Sequence, residues 1–309
     1  MKGIVSARDF ARRLGTTAHR LRDLARDLDR SKYSHYRFWS EINKKTGKVR
    51  HFRIPDPELM DLQRKIKDNV LGKVDLADAA HGGVRGRSPY TNALPHLGQA
   101  CVITLDVRQF FPRVRHYVVR NMLRREYGYG REVAHLLTRL TTLDGQLPQG
   151  SPTSTAVANV LLTNAVDAAV SVKARRIGAK NTRFVDDLAF SGRNPRSLIN
   201  DAARALSAVR LPIWRKKAKF QSKPKFKITP RSKPQEVTGL VVNCVTGPSI
   251  SRKKRDGIKA AIFQAATLPA GVDRAMAINS IRGRLIHLRR FNPGSAVRLQ
   301  KYFVRLCAE

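Results

Sequence analysis

Two aspartates stand side by side at positions 186 and 187 within Thr182-Arg183-Phe184-Val185-Asp186-Asp187-Leu188-Ala189-Phe190-Ser191. The flanking residues read as two short strands, and the acids fall where a tight turn must join them. Adjacent carboxylates in an apolar setting repel and lose hydration, a cost of several kcal/mol unless a cation compensates. A third acid, Asp106, ends the β-branched run Cys101-Val102-Ile103-Thr104-Leu105 and is followed by Val107 and then Phe110-Phe111. Hard cations, Mg2+ or Mn2+, are the natural partners of such oxygen ligands. With a carboxylate from a distant strand end, two ions could sit ~3.5–4 Å apart and clamp an attacking and a leaving oxygen. Taken singly, the pair reads as a solvated turn, and Asp106 as a strand-end cap or an arginine's partner. Together, on a very basic chain, they favour the metal reading.

The chain has 60 Lys and Arg against 23 Asp and Glu, a formal charge of +37 that calls for a polyanionic partner. Nucleic acid is the first candidate. A membrane-surface protein would want an amphipathic helix or a lipid anchor, and neither terminus offers a signal core or a prenylation box. The apolar stretch from Ala156 to Val172 is interrupted by Asn159, Thr163, Asn164 and Asp167, so no membrane partner is expected. Cys101, Cys244 and Cys307 lie far apart in apolar contexts and read as buried thiols in a reducing cytoplasm.

Residues 6–29 carry apolar positions at helical spacing, broken at Leu14-Gly15-Thr16-Thr17, and predict two short helices. Asn43-Lys44-Lys45-Thr46-Gly47-Lys48 has turn chemistry between two strand-like runs. An amphipathic helix follows, with Leu59, Leu62, Ile66, Val70 and Leu71 on one face. Ser151-Pro152 predicts the start of a long helix, Ser as N-cap and Pro in the first turn. Residues 237–246 read as a strand pair. From Ser251 onward the chain is basic and helical, with breaks at Leu268–Gly271 and Asn292–Gly294. The expected fold class is α+β, with segregated sub-domains.

In order along the chain, the motifs resemble those of the reverse transcriptases, specifically the retron-type enzymes of bacteria. Gly47-Lys48-x-Arg50 with Ile54-Pro55 and Gln63 looks like the first fingers motif. His81-Gly82-Gly83, Gly86-Arg87-Ser88 and Asn92-Ala93-x-x-His96 resemble the retron NAxxH region. Asp106-x-x-x-Phe110-Phe111-Pro112 resembles the first catalytic-aspartate motif, and Leu147-Pro148-Gln149-Gly150-Ser151-Pro152-Thr153-Ser154, with Asn159, the nucleotide-pocket motif. Phe184-Val185-Asp186-Asp187 stands where the family carries Tyr-x-Asp-Asp, and Lys225 precedes Val237-Thr238-Gly239 as the family's palm lysine precedes its VTG signature. Two positions depart from the pattern. Phe184 replaces Tyr, which keeps the ring but loses the hydroxyl and implies altered fidelity or affinity with the chemistry retained. Thr155 replaces a frequent Pro.

The resemblance implies a right-hand polymerase fold: N-terminal helices and fingers over 1–100, a palm with an antiparallel sheet over 101–245 (115–145 returning to the fingers), and a small, basic helical thumb over 246–309. It implies RNA-directed DNA synthesis with two Mg2+ ions, Mn2+ a possible substitute, held by Asp106, Asp186, Asp187 and the Val107 carbonyl. Deoxynucleoside triphosphates would meet Arg50 or Lys48, Phe111 as a steric gate against the 2′-hydroxyl, Gln149, Gly150 and Lys225, with Lys223 and Lys227 left as alternatives to Lys225. Phe184 would support the primer end. Asn92, His96, Val237, Thr238 and Gly239 would form a retron-specific surface, either contacting RNA or supporting the fold. Arg252, Lys253, Lys254, Arg255 and Arg284, with Arg282, Arg289 and Arg290, would contact an RNA stem.

Retron enzymes copy their own folded non-coding RNA, starting DNA from the 2′-hydroxyl of a guanosine and leaving a branched RNA–DNA product. The implied partners are therefore the cognate RNA, its DNA product, the nucleotides and an effector protein in phage defence, all in the bacterial cytoplasm. Two other readings compete: another prokaryotic reverse transcriptase, of group II intron or diversity-generating type, and a non-catalytic RNA-binding scaffold. Short length and the Asn92–His96 and Val237–Gly239 signatures speak against the first. Retention of all three aspartates speaks against the second.

Overall fold

A computed structural model describes residues 3–43, 47, 49–107, 109–211 and 227–307. The architecture is α+β, as expected, with antiparallel sheets set among helices. The two N-terminal helices, Ala7–Arg13 and Ala18–Arg30, begin at Ser6 and Thr17, whose hydroxyls accept from the amides of Asp9 (3.1 Å) and Arg20 (3.2 Å). Phe10, Leu14, Leu21, Leu24 and Leu28 carry both helices into the main core.

Strands β1 (Tyr36–Ile42) and β2 (Val49–Pro55) pair as a largely exposed hairpin. Trp39 stacks on Phe52 at 5.2 Å on one face, and the Arg53 guanidinium lies 4.5 Å from the Phe38 ring centre on the other. The helix Pro57–Asn69 is capped by Asp56, which accepts from the Leu59 amide at 2.8 Å. It buries Leu59 and Ile66 and also Gln63.

The central sheet contains β3 (Cys101–Asp106), β4 (Lys180–Phe184), β5 (Asp187–Gly192) and β6 (Lys227–Pro230), in the order β4-β5-β3-β6. Alternation along the strands divides its faces. Ile103, Leu105, Leu188 and Phe190 join the main core, while Val102 and Ala189 join a second core. That second core also holds Val237, Leu240, Val242 and Ile250, and the buried faces of three C-terminal helices, Arg252–Thr267, Val272–Phe291 and Pro293–Cys307. The basic C-terminal helices thus share a second core with the back of the sheet whose strand ends bear the aspartates.

Three local expectations change, and one strand was not anticipated. The long helix begins at Ser154, not at Ser151-Pro152: the Ser151 hydroxyl donates to the buried Gln63 Oε1 (2.6 Å) and accepts from the Thr153 amide, and this pins a turn ahead of the helix. The strand pair expected over 237–246 is shorter, β7 (Glu236–Val237) and β8 (Leu240–Val241), because Thr238 and Gly239 both take positive φ and close a two-residue turn. Strand β6 lies in a stretch whose basic composition masked its strand character. Cys307 is buried and Cys101 partly so, but Cys244 is exposed on the loop after β8.

Among the described residues, one helix, Ser154–Arg176, is long and apolar enough to cross a membrane, and 56% of its most apolar window is buried inside the fold. Its buried Val157, Val160, Leu161 and Val166 all belong to the main core.

Candidate active site

Strands β4 and β5 are joined by Val185-Asp186 alone, with Phe184 opposite Asp187 in the register. A two-residue hairpin of this kind favours glycine at its first position, yet Val185 occupies it at φ 59, a strained conformation for a β-branched side chain. On the other side of β5, Asp106 is the direct cross-strand partner of Asp187. The Val107 amide donates to the Asp186 carbonyl at 3.3 Å, which ties the end of β3 to the same turn. An adjacent pair of carboxylates and a third from a distant segment are therefore gathered at adjoining strand ends. Asp106 is buried, Asp186 is half-buried, and Asp187 is exposed.

Burial first, then the charges of Asp187 and Asp106, push the Asp186 carboxyl up to about 7, and a hydrogen bond with Asp106 adds to the rise. Among the described residues no three His, Cys, Asp or Glu side chains form a closed ligand cluster. What the strands bring together is an adjacent pair plus a cross-strand carboxylate. This all-oxygen set fits a hard divalent cation, whose charge would offset the repulsion that raises Asp186.

Of the other expected site residues, Phe110 is buried, whereas the Phe111 ring beside it, 5.2 Å away, keeps a partly exposed face. Gln149 and Gly150 lie against the β1–β2 hairpin: the Arg53 amide donates to the Gln149 carbonyl at 2.6 Å, and Gly150, at φ 106, has room for a β-carbon only 3.1 Å from the Arg53 carbonyl. Arg50 is exposed on that hairpin, across from Glu41, and strand alternation puts its side chain on the face opposite Arg53. Arg53 is the basic residue set against the loop, and the sequence reading passed over it. Lys48, Lys223 and Lys225 lie outside the described residues, while Lys227 opens β6.

Asn92 and His96 are 1% and 0% exposed. His96 bridges the hydroxyls of Ser191 (2.7 Å) and Thr182 (2.8 Å), and the latter donates to the Asn92 carbonyl at 3.2 Å. Of the two roles left open for this pair, the burial fits fold support. The VTG turn does meet their segment, since the Thr238 hydroxyl donates to the Pro89 carbonyl at 3.1 Å. Val237 is buried beneath that turn. Lys254 donates to the Gly239 carbonyl (2.7 Å) and Arg255 to the Ser295 hydroxyl (2.9 Å), so these two cations fasten the C-terminal helices in place. Arg252, Lys253, Arg282, Arg284, Arg289 and Arg290 are exposed.

The sequence reading also missed Arg183. It is 1% exposed and bonds to Asp167 and Asn159 of the long helix. In a chain with 60 basic residues, nothing local marks one arginine as buried.

The site is thus an antiparallel sheet with carboxylates at adjoining strand ends, near a hairpin set against the Leu147–Gly150 loop. No family model matches the chain. It is 32% identical over 312 residues to the Retron Mx65 reverse transcriptase of Myxococcus xanthus, covering 95% of this chain and 70% of that protein. It is 34% identical over 263 residues to the Retron Mx162 reverse transcriptase of the same organism, covering 77% of this chain and 53% of its relative. The Retron Ec86 reverse transcriptase of Escherichia coli is 28% identical over 255 residues, covering 82% and 75%. A solved foamy viral protease–reverse transcriptase in complex with double-stranded DNA aligns with TM-score 0.44 and 18% identity, over 82% of this chain and 36% of its own. The chain belongs to the retron reverse transcriptases, which are RNA-directed DNA polymerases.

Proposed function

We propose that this chain copies a cognate structured non-coding RNA into branched single-stranded DNA, with Asp106, Asp186 and Asp187 as the carboxylates that hold two divalent metal ions. The observation that carries the reading is the register that sets Asp106 opposite Asp187, with Asp186 in the connecting turn. Bound there, Mg2+ would lower the pKa of the attacking hydroxyl and neutralise charge on the triphosphate. The Val107 carbonyl, just past the end of β3, would be a further oxygen donor to the ions.

The protein's own part is positioning. Phe111 would pack under the sugar and exclude a 2′-hydroxyl, while Gln149 and Gly150 shape the pocket over the incoming nucleotide. Phe184, paired with Asp187, would support the primer end. Arg50 would contact the triphosphate from the hairpin, and Lys225 would act from the palm. Under this reading the fingers occupy 1–100, the palm 101–245 and the thumb 246–309. The exposed Arg252, Lys253 and Arg284 would then grip an RNA stem through its phosphates.

The family resemblance supports the remaining steps: priming from the 2′-hydroxyl of a guanosine, and action in the bacterial cytoplasm with an effector protein in phage defence. Nucleic acid recovered from the purified protein, treated separately with RNase and DNase, tests the central claim. A bound hybrid shortened by each enzyme but destroyed by neither is expected. Recovery of RNA alone from an active preparation would count against branched-product synthesis.

A further inference from the structure

Strand β4 enters the aspartate turn through Arg183, a buried guanidinium whose hydrogen bonds run inward to the long helix and to the turn itself. Its Nε donates to both oxygens of Asp167 (2.9 and 3.1 Å) and Nη2 donates to Oδ2 (2.7 Å). Nη1 donates to Asn159 Oδ1 (2.8 Å) and to the Val185 carbonyl (2.9 Å). A carboxylate alone would satisfy one side of the arginine fork. Here the other arm reaches the backbone of the turn residue that carries the positive φ.

The long helix is shaped to supply both partners. Asn159 and Asp167 are eight positions apart, and at about 100° per residue a regular α-helix would set them about 80° apart around its axis. The π-turn Thr163–Asp167, closed by the Ala168 amide on the Thr163 carbonyl, inserts one residue and brings them within about 20°. Both can then face the same guanidinium.

The turn is enclosed from a second direction by the His81-Gly82-Gly83 segment. Its path is tied to β4, because the Arg183 amide donates to the Ala79 carbonyl (2.6 Å) and the His81 amide to the Arg183 carbonyl (2.8 Å). Asn159 Nδ2 donates to the Gly82 carbonyl at 2.8 Å, which links helix and segment. A β-carbon on Gly82 would lie 2.5 Å from the Val185 nitrogen and 2.6 Å from its Cγ2, so the segment lies directly against the turn. A β-branched residue at positive φ persists only where its surroundings over-determine it.

We propose that Arg183 is a positioning residue for DNA synthesis: with Asp167, Asn159 and the Gly82 backbone it locks Val185 in its left-handed conformation and thereby fixes Asp186 and Asp187 relative to Asp106. The inference rests on these aspartates being the metal-holding carboxylates. A merely structural role would hold helix to sheet and leave the turn's competence untouched, so the two roles part at the metal site.

The test uses the full chain with poly(rA)·oligo(dT) and dTTP, and measures Mn2+ binding directly by electron paramagnetic resonance. Arg183→Lys keeps the charge but loses the fork. Gly82→Ala leaves every charge in place and pushes on the Phe184–Val185 peptide and the Val185 side chain. Both variants should bind Mn2+ at least about tenfold more weakly and lose at least about tenfold in kcat, with KM for dTTP and duplex affinity near wild type. Val185→Gly relieves the strained φ, so it should cost far less in the Arg183→Lys background than alone, a non-additive cycle.

Wild-type Mn2+ affinity and kcat in folded Arg183→Lys would overturn the proposal, as would strict additivity with Val185→Gly. If Arg183→Lys fails to fold, Gly82→Ala decides, and its unchanged Mn2+ affinity and kcat would be equally fatal. Full activity in the Asp186→Asn, Asp187→Asn double variant would instead sink the metal-carboxylate reading itself. An inactive double variant beside a wild-type-like Gly82→Ala removes only the positioning role.

Discussion

Asp106 and Asp187 face each other across β3 and β5 as direct cross-strand partners, two acids where like charges destabilise a sheet. The arrangement makes sense if a cation joins them. Replacing Asp186 and Asp187 together by Asn should reduce primer extension by at least about a thousandfold while RNA binding persists. Extension assays and filter binding on the same preparation check both halves. Undiminished extension would refute the metal assignment.

Phe110 fills the core while Phe111 beside it keeps an exposed face, so truncating the second ring should open space without collapsing the fold. Phe111→Ala or Phe111→Val should lower discrimination against ribonucleotides by roughly 10–100-fold in kcat/KM. If the ratio for the two sugars stays at its wild-type value, Phe111 is a packing residue.

His96 couples stability to pH. Burial, then the charge of His81, lowers its pKa to about 3, so it is neutral in the fold and free to protonate in the unfolded chain near its ordinary 6.5. The unfolded state therefore binds the extra proton between these values, and the stabilisation present above pH 6.5 is lost progressively as pH falls toward 3. His81, lowered to about 4 by burial and by Arg87 and Arg183, acts in the same direction. Denaturant midpoints at pH 7 and pH 5 should fall with acidification, and His96→Gln should flatten that slope. An equal slope in the variant would show that other groups carry the dependence.

Asp167 and Arg183 form a buried ion pair at 2.7 Å, 3% and 1% exposed at the side chain. Removing one partner strands the other charge, so Asp167→Ala should cost about 3–5 kcal/mol in chemical denaturation. A loss below about 1 kcal/mol would mean that water or another acid takes the carboxylate's place.

The exposed basic residues of the C-terminal helices predict a steep salt dependence. Log affinity for an RNA stem should fall linearly with log salt, and Arg284→Ala should reduce the slope by about one phosphate's worth. A flat response would assign the excess charge to something other than phosphate contact.

Much of this was legible locally. The strands ending in acids, the two helices of residues 6–29, the breaks near Gly271 and Pro293 and the turn at Asp186 each depend on residues within a few positions of one another. Periodicity, capping and turn chemistry are short-range effects, and the motif series pointed to the family on the same footing. The start of the long helix was misplaced because the partner of Ser151 is Gln63, a residue far back in the chain.

By itself, then, the sequence determined the acid-bearing strand ends, the two N-terminal helices and the helical C-terminal run, while β6 and the start of the long helix escaped it. Only the tertiary structure decided that Asp106 faces Asp187, that His96 is sealed between two hydroxyls and that one arginine among many turns inward to hold the Val185 turn. Register and burial are settled by packing between distant segments, where a one-residue slip would send every side chain of a strand to the opposite face.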